Sequence, residues 1–146
     1  MLADEPPQHQ GSGPAVTAAR RRELGRLGED LAEGHFRRLG FSILGRNVRT
    51  RAGEIDLIAF DGRTLVFTEV KTRRTGAWNG RADPCLDPLS GLRHRQRARL
   101  RRLAVAWLSD EERTRPSART IRFDAVGVIL DGRGGLVSLD HLEGAW

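Results

Sequence analysis

The chain contains no tyrosine, a single cysteine and a single lysine, and each scarcity excludes something. With aromatics at 5% there are few rings on which single-stranded bases could stack. The lone cysteine, Cys85, cannot close an internal disulfide, which points to a reducing cytoplasm. No window approaches the roughly 20 consecutive apolar residues of a membrane span, so no membrane partner is expected. The first residues are acidic and then Pro- and Gln-rich, which does not read as a secretory signal.

What is present is an ionic, basic chain of one domain's length. Of 146 residues, 38% are hydrophobic and 30% charged, the net charge is +6 and the pI is about 11.2. That length buries a core without disulfides, and the basic excess favours polyanionic partners such as nucleic acid. Of the 25 basic residues, only Lys71 is lysine; the rest are arginine. A GC-rich coding sequence accounts for the arginines and makes the exception informative. Lysine is a compact ammonium whose pKa moves readily, whereas arginine is a fixed, always protonated fork.

Residues 1–16 read as a disordered tail, followed by a single domain over 17–146. Leu24, Leu27, Leu31, Ala32, His35, Phe36 and Leu39 predict a helix over 17–39, capped by Thr17 and stopped by Gly40. Gly25 and Gly28 inside it each cost about 1 kcal/mol relative to alanine, so a close neighbour is expected there. Strands are predicted at 41–50, 53–60 and 64–72, with Asp61-Gly62 as the turn between the last two. A loop covers 73–87. A second helix is predicted over 89–109 with Leu92, Leu100, Leu103, Ala104, Trp107 and Leu108 on one face. A fourth strand spans 119–130 and a short fifth 135–139. The order is αβββαβ, an α/β fold with a β appendage.

Side chains alternate along a strand. Glu54, Asp56, Ile58 and Phe60 therefore share one face of the second strand, and Leu65, Phe67, Glu69 and Lys71 one face of the third. A four-residue turn sets Asp56 opposite Glu69 and Glu54 opposite Lys71, with Cβ atoms about 5 Å apart. Ile55, Leu57, Ala59, Val66, Thr68 and Val70 fall on the other face. Two carboxylates so close raise each other's pKa unless a cation intervenes. Oxygen ligands suit Mg²⁺, which retains waters and binds substrate phosphates, and the Val70 carbonyl is a natural further ligand. Lys71 is then placed to orient water and stabilise charge developing on a phosphate. The competing reading is a solvated sheet face with a Glu54–Lys71 salt bridge, which contributes little.

GEIDLIA (53–59) and TEVKTR (68–73), after a helix carrying Gly28-Glu29 and before RFDAV (122–126), resemble the YraN family. The resemblance covers about residues 23–146. These small bacterial proteins look like members of the PD-(D/E)XK nuclease superfamily, which includes restriction endonucleases and archaeal Holliday-junction resolvases. The resemblance implies a restriction-endonuclease-like core, a mixed central sheet flanked by helices and a divalent-metal site (Mg²⁺ or Mn²⁺). It makes Asp56 and Glu69 the metal acids, Lys71 the motif lysine, and Glu29 an acid of the first helix approaching the metal. The implied activity is endonucleolytic hydrolysis of DNA, with structured or branched DNA in view, and it allows a homodimer. Two positions depart from the family pattern: Thr68 stands where valine is common, and Gln96 stands near where the second helix often carries lysine.

Gln96 interrupts the stripe Leu92–Gln96–Leu100–Leu103–Trp107, where it either faces the site, as a glutamine does in several nuclease relatives, or marks the wetter end of the stripe. Glu29 borders a buried face, and an ordinary solvated glutamate is its alternative reading. Asp124 reads as a structural hydrogen-bonding or ion-pairing residue. The histidines show no metal spacing. Arg93, Arg95, Arg97, Arg99, Arg101 and Arg102 read as a solvated helix face, whereas Arg73, Arg74 and Arg81 border the loop after Lys71 and are expected to meet nucleic-acid phosphates. The alternatives to a nuclease are a non-catalytic nucleic-acid-binding module on the same fold, and an adaptor whose arginine-rich helix meets an acidic protein.

Overall fold

The computed structural model describes residues 14–75, 87–90, 92 and 94–145. The element order is α1 (Pro14–Arg38), β1 (Ser42–Thr50), β2 (Gly53–Phe60), β3 (Thr64–Arg74), α2 (His94–Leu108), β4 (Thr120–Leu130) and β5 (Leu136–Leu142). The five strands form one sheet in the order β1-β2-β3-β4-β5. All neighbours are antiparallel except β3 and β4, which run parallel and are joined by the α2 crossover. A mixed sheet with a helix on each face is consistent with the restriction-endonuclease-like α/β arrangement.

Helix α1 begins at Pro14, ahead of the expected cap at Thr17. Proline suits a first helical turn, whose amide positions lack intrahelical partners anyway. Its end is sharply specified. Gly40 takes φ +91°, its N–H donates to the Arg37 carbonyl at 3.0 Å, and the Phe41 N–H donates to the Phe36 carbonyl at 3.0 Å. This is the double bond of a glycine-terminated helix, with Phe41 packed edge-on to Phe36 at 5.4 Å. Asp61 holds the β2–β3 turn by accepting from the N–H groups of Arg63 (2.9 Å) and Thr64 (2.6 Å).

Each helix covers its own core. Ala32 and Phe36 of α1 pack on Leu57, Ala59, Val66, Val126, Val128 and Leu130. Leu100, Leu103, Ala104 and Trp107 of α2 pack on Ile55, Ile58, Leu65 and Phe67. β3 is central and buried from Leu65 to Glu69. Helix α2 starts at His94, later than the expected residue 89. The Asp87 carboxylate instead captures the Leu89 N–H at 2.9 Å and makes a separate turn over Pro88–Ser90. That turn packs on Gly127 of β4, where a Cβ would lie 2.9 Å from Leu89 Cγ and 3.1 Å from Pro88 Cγ.

Gly28 has the close neighbour expected of it: a Cβ there would collide with the Thr72 side chain. Gly25 does not, having nothing within 4 Å of that position.

Candidate active site

The β2–β3 hairpin pairs Phe60 with Leu65, Ala59 with Val66, Ile58 with Phe67 and Leu57 with Thr68. This is the predicted register, and one more step would set Asp56 against Glu69. The ladder stops there. The Asp56 carboxylate instead accepts the Val70 N–H at 2.8 Å, so the side chain occupies the gap where β2 leaves β3.

Strand β1 shows how that gap arises. On the far side of it, Arg46 pairs with Leu57, and both face α1: Leu57 joins the α1 core, and Arg46 binds Asp30 (2.7 Å) and Glu33 (2.9 Å) of that helix. Two residues on, Val48 pairs with Ile55, and both belong to the α2 core. Strict alternation keeps such residues on one face, so both strands change face at the intervening position, Asn47 and Asp56. Asn47 has φ +46°, the left-handed conformation that asparagine tolerates better than most residues. This corrects the expected face of Ile55, which packs under α2 rather than with Leu57 and Ala59.

The face change places Asp56 between the layers. Asp56, Glu69 and Lys71 line one cleft together with Glu54, Ile55, Thr68, Val70, Arg99, Leu100 and Leu103. Its volume is about 210 Å³; with about 30 Å³ per water in the liquid, it has room for a hydrated ion and a phosphate group. A second cleft, lined by Leu44, Val48, Trp107, Arg113, Thr114, Arg115 and Pro116, has no carboxylate among the described residues.

Burial pushes the Asp56 carboxyl up to about 6. The Val70 N–H and Lys71 oppose that rise, while the nearby charges of Glu29 and Glu69 add to it. Asp56 is thus a carboxyl whose ionised form is poorly solvated by its surroundings. Glu69 is 7% exposed and its Oε1 lies 2.7 Å from Lys71 Nζ. Lys71 therefore pairs along its own strand with Glu69, not across the hairpin with Glu54, which is exposed at the cleft. Glu29 approaches from α1 closely enough to act on Asp56 by charge, but its Oε2 accepts from the Asn47 amide at 2.8 Å and lies 3.6 Å from Arg46.

Gln96 is half-buried on α2 but does not line the cleft; Leu100, one turn on, does. Arg73 and Arg74 are exposed at the end of β3. Arg81 lies outside the described residues, as do Cys85 and Arg93. Thr68 carries a buried hydroxyl with no hydrogen-bond partner among the described residues. Arg99 lines the cleft, where a solvated helix face is expected from its arginine neighbours. Its position next to Leu100 and four before Leu103 in the apolar stripe was the available signal. Among the described residues no group of three or more His, Cys, Asp or Glu side chains is arranged to hold a metal by itself.

On the α1 face, buried Asp124 accepts from Arg122 and from the Gly144 N–H (3.0 Å), and lies 2.8 Å from His141 Nε2. His141 Nδ1 lies in turn 2.9 Å from His35 Nε2. This bears out the structural reading of Asp124, and it ties α1 to β4 and β5.

A model of the family described as "Uncharacterised protein family UPF0102" matches residues 28–128. The chain belongs to this family. It is 42% identical over 139 residues to a UPF0102 protein of Acidothermus cellulolyticus, covering 90% of this chain and 99% of that protein. It is 45% identical over 123 residues to one of Parafrankia sp., covering 84% and 95%, and 42% identical over 125 residues to one of Corynebacterium efficiens, covering 85% and 92%. The span matched by UPF0102 takes in Glu29, Asp56, Glu69, Lys71, Gln96 and Arg99. Among the described residues no helix is long and apolar enough to cross a membrane.

Proposed function

We propose that this UPF0102 protein is a divalent-metal-dependent endonuclease of the PD-(D/E)XK superfamily, hydrolysing phosphodiester bonds in DNA in the cytoplasm. The observation that carries the reading is the convergence of Asp56, Glu69 and Lys71, from adjacent strands, on one cleft, with the sheet opened at the aspartate.

The donor set fits Mg²⁺ or Mn²⁺. It is all oxygen: the Asp56 and Glu69 carboxylates, the Val70 carbonyl, and Glu29 across the gap. Two carboxylates, one carbonyl and a Glu29 already bonded to Asn47 leave positions for the several waters that such a cation keeps. The Asp56 pKa is raised first by burial and then by the charges of Glu29 and Glu69, and a bound cation would offset both. A bound ion would supply Lewis acidity, drawing charge from the phosphate and acidifying water.

The chain's own residues do the rest. Lys71, already held by Glu69 at 2.7 Å, is placed to orient the attacking water and to stabilise charge growing on the phosphate. Glu54 and Gln96 are candidates for support at the cleft rim and behind it. Arg73 and Arg74, with Arg81, are the candidate backbone-phosphate contacts. Such contacts give affinity without sequence preference, which fits recognition of DNA by shape or branching. Symmetric cutting of a duplex would pair two such chains as a homodimer.

Branched, nicked and linear DNA incubated with the protein in Mg²⁺ or Mn²⁺, beside Glu69→Ala and Lys71→Ala, tests the assignment. Cleavage by the parent, lost in both variants, is expected. Binding without cleavage in every metal would transfer support to the non-catalytic binding module. No DNA affinity at low salt would leave only the protein adaptor.

A further inference from the structure

We propose that Arg99 is the substrate-anchoring cation of this cleft, binding a backbone phosphate on its β2 side while Lys71 acts from the β3 side. The inference rests on the phosphodiester reading above and adds to it the residue that fixes the strand.

Among the described residues two cations line the cleft, Lys71 and Arg99, and they differ in what holds them. Lys71 is committed to Glu69 at 2.7 Å. Arg99 is exposed and makes no hydrogen bond or ion pair with any described residue. A guanidinium that lines the cleft without such a partner has its donor fork available to an incoming anion. Its place is set by the backbone beneath it. Gly53 ends the β1–β2 turn at φ +132°, and a Cβ there would lie 3.2 Å from Leu103 Cδ2 and 3.8 Å from an Arg99 terminal nitrogen. The missing side chain leaves the space over which Arg99 lies. Leu100 and Leu103, which line the cleft with it, are 3% and 2% exposed and anchor this turn of α2 in the core. Arg99 is thus a free charge on a fixed base. Lys71 and Arg73 alternate onto one face of β3 near its end, where the strand is still paired with β4. A backbone crossing the cleft meets Arg99 on one side and these residues on the other, with the scissile phosphate between.

The test compares Arg99→Gln and Arg99→Lys with the parent and with Arg101→Gln, an exposed α2 arginine outside the cleft. A fluorescent DNA duplex is titrated with Ca²⁺ in place of Mg²⁺ across a salt series. Arg99→Gln is expected to weaken binding about tenfold and to lower the salt slope by about 0.9, the increment of one phosphate contact. Arg99→Lys is expected to restore the slope, and Arg101→Gln to leave it unchanged. With cleavable DNA in Mg²⁺ or Mn²⁺, Arg99→Gln is expected to raise KM more than it lowers kcat. Neutral methylphosphonates placed singly along the strand should reveal one position near the cut that weakens the parent but not Arg99→Gln. Parental affinity, slope and KM in Arg99→Gln, or an equal loss in Arg101→Gln, would overturn the proposal while leaving the nuclease intact. If the parent binds DNA and cleaves none, the nuclease reading fails, and a lost salt increment still upholds Arg99 as the phosphate contact. If the parent binds no DNA, both fall.

Discussion

Replacing Asp56 by asparagine should make the metal-free protein more stable at neutral pH. The folded-state pKa of Asp56 is raised from 3.8 to about 6. The native protein therefore binds more protons than the unfolded chain between those values, and stability falls as pH rises through that window. At about 1.36 kcal/mol per pKa unit, ionised Asp56 costs the fold about 3 kcal/mol above pH ~7. Asparagine does not titrate, and its amide oxygen can still accept the Val70 N–H that Asp56 now accepts at 2.8 Å. Urea unfolding in EDTA at a series of pH values is the assay. Parent and Asp56→Asn should coincide near pH 4 and separate to about 2–3 kcal/mol in favour of the variant by pH 8. Saturating Mn²⁺ should close the gap by stabilising only the parent; an ion at 100 times its Kd contributes about 2.7 kcal/mol. A variant that is equal or less stable at pH 8 in EDTA would refute the reasoning, because the aspartate would then not be an uncompensated buried charge.

Three further expectations follow from the packing. Gly28→Ala should destabilise by about 1–3 kcal/mol, because its Cβ meets Thr72, whereas Gly25→Ala, with open space, should gain about 1 kcal/mol; equal melting shifts for the pair would contradict this. Asn47→Ala should be less stable than Asn47→Gly by about 1 kcal/mol, since both lose the Glu29 bond and only alanine is strained at φ +46°; the reverse order in urea would show that the left-handed turn of β1 is not needed. His35 has its pKa lowered from 6.5 by burial and then by the charges of His141 and Arg38, against Glu143. The stability this neutral histidine carries is present above pH ~6.5 and is lost as pH falls toward its lower folded value, so His35→Gln should flatten the acid limb of the stability curve. An unchanged limb would show that the histidine is not a titrating link.

The hairpin was legible because its signals are local. Asp61-Gly62 sets the turn, and two alternating runs set the register as far as Leu57–Thr68; Asp56 and Glu69, expected to face each other, line one cleft just past its end. Helix α1 was legible to its last turn because Gly40 marks the stop. The face change at Asn47 and Asp56 was not, because one left-handed residue inside a strand leaves no periodic trace, and alternation carried Ile55 to the wrong core. The start of α2 was overrun because Leu92 continues the apolar spacing, while the Asp87 carboxylate, which captures the Leu89 N–H, acts outside any hydrophobic pattern. Arg99 was hidden among identical neighbours, and only its distance from Leu100 and Leu103 separates it from a solvated face. The His35–His141–Asp124 chain joins residues more than a hundred positions apart, so no local pattern announces it.

The central claim is that Asp56 and Glu69 hold one divalent ion between them, and ion uptake tests it most directly. Calorimetric titration of Mn²⁺ into the purified protein should give a single saturable site per chain. That site should disappear in Asp56→Asn and in Glu69→Gln and persist in Arg101→Gln. No saturable uptake by the parent, or uptake that survives both acid substitutions, would contradict the account.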